Sequence, residues 1–113
     1  MNLDLMERML ADHGRTVTLR RLTGTARIPF DVTVRAAVWT GSDTVLVGAV
    51  QQTADKILLT SREIDAARWP FPPRHGDQVI YEDGRVTTVQ GTVQIFPFNE
   101  GDRAIVMRSL GGG

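Results

Sequence analysis

The chain has 113 residues, of which 13 are basic, 13 acidic and none cysteine. That length fits one domain with one core, able to bury roughly two thirds of its unfolded surface without staples. The missing cysteine excludes disulfide frameworks, zinc ribbons, iron–sulfur clusters and thiol catalysis, and a formal net charge of zero is not the balance of a protein that neutralises many phosphates.

No run of about 18 apolar residues is present, so no membrane contact is expected. Met1 to Asp4 has neither a basic nor an apolar leader region, so the expected location is the cytosol, or an assembly that carries the chain elsewhere. Lys56 is the sole lysine, so the basic side chains are almost all arginine. Arginine suits bidentate and stacked interface contacts, and a GC-rich coding bias produces the same composition.

Leu3, Met6, Met9 and Leu10 recur at helical spacing, with Asn2 placed to cap and Asp4 at the positive end. The spacing predicts a helix over 3–12, closed by Gly14. Such a helix is too short to stand alone in water and must dock. Residues 16–22 alternate and are β-branched, predicting a strand with Val17 and Leu19 inward. A loop over 23–30 is marked by Gly24 and Pro29. Residues 31–40 alternate again through Val32, Val34, Ala36 and Val38, with Trp39 opposite, and Gly41 to Asp43 break the pattern.

A third strand is predicted over 44–51 and a fourth over 56–60, joined by a polar link from Gln52 to Asp55. Thr60 and Glu63 have capping-box spacing, which predicts a helical turn over 62–67 carrying Ile64 and Ala67. Trp69 to Pro73 is a stiff extended loop, since proline forbids helix and central strand. A fifth strand follows over 78–82, then the Asp83-Gly84 hairpin signal. The chain returns over 85–90, bends or bulges at Gly91 and continues over 92–96. Residues 99–102 form a turn, and 103–108 the last strand. The expected fold is therefore mainly β: a small antiparallel β-barrel or sandwich of six to seven strands, with an N-terminal helix and one helical turn near 61–67. Residues 1–110 form one domain, and 111–113 a flexible glycine tail.

The residues point away from catalysis. His13 and His75 sit beside glycines at turns, with Asp12 and Asp77 near them in sequence. Asp–His pairing could orient an imidazole, but two histidines build no three-ligand catalytic zinc site without carboxylate help, no HExxH-type spacing occurs, and none of Ser42, Ser61 and Ser109 lies in a G-x-S-x-G elbow. No phosphate-binding glycine motif occurs, and Glu63 and Asp65 point to different faces of a single turn. No catalytic, metal or cofactor residue is assigned. Trp69, Phe71, Phe96 and Phe98 are more informative, because neighbouring prolines fix their direction at low entropic cost. Phe96 reads as core and Phe71 as interface. With Met6 and Met9, Trp69 and Phe71 form the expected partner interface.

Several segments in this order carry a resemblance: the helix at 3–12, the strand Val-Arg-Ala-Ala-Val-Trp at 34–39, and the strand into a turn at 56–64. After them come the proline-rich approach to Gly76-Asp77-Gln78-Val79, the hairpin through Asp83-Gly84 to residues 86–89, and the closing strand. Over residues 30–108 the chain resembles the head–tail joining (head-completion or stopper) proteins of long-tailed bacteriophages, lambda-like ones included. The long 65–74 segment and the neutral tail depart from that pattern. The resemblance implies a structural, non-enzymatic virion protein at the neck, assembled in the host cytoplasm as a ring between portal or adaptor proteins and tail proteins. One loop would face the DNA channel, with at most transient DNA contact. Here the candidates are Gln51, Gln52, Thr53 and Asp55, or the loop 23–30. Two other readings remain open. A nucleic-acid-binding β-barrel would need Arg20, Arg21, Arg27 and Arg35 on one face, and a small enzyme would need His75 and Asp77 beside a pocket.

Overall fold

The computed structural model describes residues 3–98 and 101–111. Helix α1 (Leu3–His13) leads into β1 (Arg15–Thr23), β2 (Ile28–Val47) and β3 (Val50–Thr60); α2 (Ser61–Ala66) and a loop precede β4 (Gln78–Tyr81), β5 (Val86–Pro97) and β6 (Arg103–Gly111). The six strands close into an antiparallel barrel in the order β1-β2-β3-β6-β5-β4. Closure hides the edges that a flat sheet of this size would expose.

The interior follows from strict alternation. Val17 and Leu19, as expected, join Val34, Ala36, Ile57, Leu59, Val79, Val89, Ile105 and Met107 in one buried cluster. Ile64 of α2 and Trp69 of the following loop complete that cluster. The Trp69 indole N–H donates to the Phe30 carbonyl at 2.8 Å, which satisfies its one polar atom.

Helix α1 is held at its C-terminal end by a strand residue. Arg35 donates to the carbonyls of Leu10, Ala11 and Gly14 and to the Thr16 hydroxyl. Leu10 and Ala11 belong to the last turn of the helix, where carbonyls lack partners farther along the helix and a cation is favoured; the Leu10 carbonyl also accepts from the Gly14 N–H. Farther along, Arg62 of α2 bridges Asp4 of α1 and Asp102, and these hydrogen bonds, Asp102's first, hold its guanidinium above its ordinary pKa.

Several boundaries differ from those expected. The loop over 23–30 shrinks to a turn, because Ile28 and Pro29 already pair with Thr23 and Leu22. Gly41 does not break β2: the register shifts between Trp39 and Asp43, and the ladder resumes to Val47. Residues 44–51 are thus not one strand but the end of β2, the turn and the start of β3, and the supposed link Gln52 to Asp55 lies inside β3. A bulge absorbs the extra residues without ending the strand, which a glycine signal in sequence does not distinguish from a turn. A similar register shift between Gln90 and Gln94 agrees with the bend expected at Gly91. Gly111 belongs to β6, opposite Thr87, instead of the tail; Gly112, Gly113 and, in the expected 99–102 turn, Asn99 and Glu100 lie outside the described residues.

The capping box is also redirected. Thr60 is the N-cap of α2 but makes no side-chain cap bond; its hydroxyl donates to Glu7 of α1. The Glu63 carboxylate accepts from the Arg35 N–H instead, and the Ser61 hydroxyl accepts from the Arg103 N–H. Both strand N–H groups lie just beyond the ends of their ladders with β3, so tertiary demand outcompetes the local cap.

Candidate protein-interaction site

Strand β2 is much longer than the barrel needs. It pairs with β1 through Ala36 and with β3 from Ala37 onward, while β6 pairs with β3 only from Asp55 to Thr60. From Asp43 to Ala54 the two strands therefore pair only with each other, as a two-stranded arm that runs past the barrel. The arm holds no charged residue from Thr44 to Ala54. Leu46 and Val50 near its tip are 71% and 59% exposed.

The arm is fastened at its root. Asp55 is 5% exposed, and its carboxylate accepts from the Gly41 N–H in the β2 bulge at 2.9 Å and from the Tyr81 hydroxyl at 2.7 Å. Arg85 approaches the same carboxylate at 3.3 Å and lies over the Tyr81 ring. Thr87 donates to Ser109, and its hydroxyl lies 3.3 Å from that of Tyr81, so β3, β4, β5 and β6 share one buried polar network beneath the arm. Burial pushes the Tyr81 phenol above its ordinary pKa, and the Asp55 carboxylate adds to the effect while hydrogen bonds from the neighbouring hydroxyls oppose it.

Beside the root, α1 and β2 enclose a groove of about 310 Å³ lined by Met9, Leu10, His13, Ala37, Val38 and Trp39. Met9 and Trp39 are both about half exposed. At the barrel's other end Ile28, Phe30, Ile95 and Phe96 are exposed near the β1–β2 and β5–β6 connections.

The expected interface is only partly reassembled here. Met9 lines the groove, and Met6 is half buried. Trp69 is not an interface residue: it is 2% exposed, with the Arg21 guanidinium 4.7 Å from its ring. Phe71 and Phe96 exchange the roles expected of them. Phe71 packs against the core under Arg103, 3.9 Å away, whereas Phe96 is exposed on β5. A proline-rich loop that folds back across a barrel end buries its aromatics, and sequence gives no sign of that return. Of the candidate channel residues, Gln51, Gln52 and Thr53 are exposed on the arm, but Asp55 is buried at its root and is no loop residue. Sequence reasoning missed Trp39, Leu46 and Val50. For Leu46 and Val50 the available signal was the uncharged run from 44 to 54, which reads as a strand over 44–51 followed by a polar link.

The groups weighed for chemistry are occupied structurally. Asp77 is paired with buried Arg21, while the exposed His75 imidazole accepts from the Gly91 N–H at 3.3 Å. A second groove, about 280 Å³, runs between Arg15, Tyr81 and Arg85. Its Glu82 accepts from the Thr16 N–H and its Asp83 from the Arg85 N–H. Among the described residues no group of three or more His, Cys, Asp or Glu could hold a metal ion, and no helix is long and apolar enough to cross a membrane. Three of the four arginines that a nucleic-acid-binding face would need are taken up structurally: Arg21 is buried, Arg35 caps α1, and Arg20 is in a bidentate pair with Asp31. No family model matches the chain, and no curated protein compared with it gives a significant match.

Proposed function

We propose that this protein is a structural connector of a tailed-bacteriophage virion, one copy in a ring at the neck that joins the portal or adaptor side of the head to the tail. The observation that carries the reading is the arm. A two-stranded ribbon is marginal in water by itself, yet this one extends past a closed barrel, exposes Leu46 and Val50, and is anchored at its root by the buried Asp55 carboxylate. A rigid barrel bearing an uncharged apolar arm is suited to interlocking with other proteins.

Apolar surface at both ends of the barrel fits a part that is held between two others. The neutral balance and the uncharged amides of Gln51 and Gln52 suit a wall past which DNA slides without being gripped. Dispersal of Arg20, Arg21 and Arg35 into separate structural contacts argues against a nucleic-acid-binding module. The structural use of Asp77, Glu82 and Asp83 argues against an enzyme.

The test is addition of purified protein to DNA-filled capsids that lack this component, followed by sedimentation and electron microscopy. Attachment at the portal vertex with restored tail joining is the expected result. Failure to attach, together with salt-sensitive binding to free DNA, replaces the connector with a nucleic-acid-binding barrel.

A further inference from the structure

We infer that the tip of the β2–β3 arm of one copy, led by Leu46, seats in the groove between α1 and β2 of the next copy. The inference rests on the connector reading and specifies how its copies engage one another.

The knob and the groove match in character. Among the described residues Leu46 is the most exposed large apolar side chain, and it sits in an eleven-residue stretch, Thr44 to Ala54, that holds no charge. The groove is floored by Leu10, Ala37 and Val38 and flanked by Met9 and Trp39, so it takes an apolar side chain. Its polar lining residues are His13 and Arg15. Arg15 makes no ion pair among the described residues. Among the described residues neither arm strand pairs with an outer neighbour between Asp43 and Ala54, so each offers unpaired carbonyls along its edge. Arg15 and His13 can donate to such carbonyls and to the Gln51 carboxamide oxygen, whereas a basic occupant would be repelled by Arg15.

An arm cannot reach its own groove. Trp39 stands at the root of the same ribbon whose tip holds Leu46, and seven residues of strand span about 23 Å. The contact is therefore between copies. Engaged one way, arm into the next groove, the contact is heterologous, and repetition closes a ring or continues as a filament; reciprocal exchange would stop at a dimer. Directly paired residues share a face of the ribbon. Leu46 thus lies with its partner Gln51, while Val50 and Gln52 face the other way and stay uncovered. One ribbon tip against one groove is well below the roughly 1,200 Å² of a stable complex. Copies should remain apart in dilute solution and associate once a platform raises their local concentration.

The native chain lacks cysteine, which allows a direct test by disulfide trapping. Both positions are exposed, so Leu46→Cys and Met9→Cys should leave the fold intact, with circular dichroism as the control. Under mild oxidation at high protein concentration, the double variant should give a ladder of dimers and larger species. A mixture of the two single variants should give dimers containing one of each, at a yield roughly tenfold above either alone. Dimers formed as readily by Leu46→Cys alone would show arm-to-arm pairing and overturn the inference. Absence of a ladder from the double variant, in solution and on capsids, would overturn it too. If such capsids still carry the protein at the portal vertex, the connector reading stands and only the arm–groove contact is lost.

Discussion

Arg21 and Asp77 form a buried bidentate pair, with Nε 2.9 Å from one carboxylate oxygen and Nη2 2.7 Å from the other. The same Nη2 also donates to the Pro72 carbonyl, and the same carboxylate oxygen also accepts from the Arg74 N–H. The pair pins the loop after α2 to β1 and places a cation over Trp69. Removing one partner leaves an uncompensated buried charge. Arg21→Met and Asp77→Asn should each cost about 3–5 kcal/mol in urea unfolding, and the double variant clearly less than their sum. Additive losses would show that the two side chains are not coupled.

Tyr81 is the chain's one tyrosine, so phenolate absorbance reports on it alone. Its folded pKa is raised, so its contribution to stability is complete below the ordinary value of about 10 and is lost as pH rises through the folded value. The titration midpoint in the native protein should lie above that of the urea-unfolded chain. Coincident midpoints would contradict burial of the Tyr81–Asp55 bond.

Asp31 behaves in the opposite sense. The Arg20 hydrogen bonds hold its carboxyl below the usual range, with burial opposing and the charge of Arg20 assisting. The stability it contributes is present above the ordinary value of about 3.9 and is lost as pH falls through the lower folded value. In an NMR titration, Arg20→Gln should move the Asp31 midpoint upward; an unchanged midpoint would dissolve the pair.

Gly14 lies where α1 turns into β1. A Cβ there would sit 2.4 Å from the Leu10 carbonyl oxygen and 3.0 Å from that of Ala36. Both are backbone atoms and cannot swing aside. Gly14→Ala should cost about 1–3 kcal/mol and loosen α1 first, read as faster amide exchange in the helix than in the barrel.

The two tryptophans should separate by quenching. Trp39 is about half exposed and Trp69 is buried. Trp39→Phe should leave a blue-shifted emission that iodide barely quenches, whereas Trp69→Phe should leave a quenchable, red-shifted one. The converse pattern would return Trp69 to the surface.

Much of the β architecture was legible because inward positions of a barrel strand alternate locally: Val17 and Leu19 could be assigned inward from their own segment. The position of α1 and the Asp83-Gly84 hairpin were legible for the same reason, being set by residues within a few positions of one another. The candidate site was legible only in Met9 and in Gln51, Gln52 and Thr53, and there without the arm that gives them a role.

What the sequence determined by itself was periodicity, turn chemistry and the absence of cysteine and net charge, all properties of neighbours or of sums. Only the tertiary structure decided that β2 runs through Gly41, that Thr60 and Glu63 serve β2 and α1 instead of their own helix, and that Trp69 is core while Leu46 is surface. Those outcomes depend on where a neighbouring strand stops. A bulge, an open N–H at a ladder's end and an arm beyond the last pairing partner arise between segments far apart in the chain, where local propensity is silent and unpaired backbone groups and apolar contact decide.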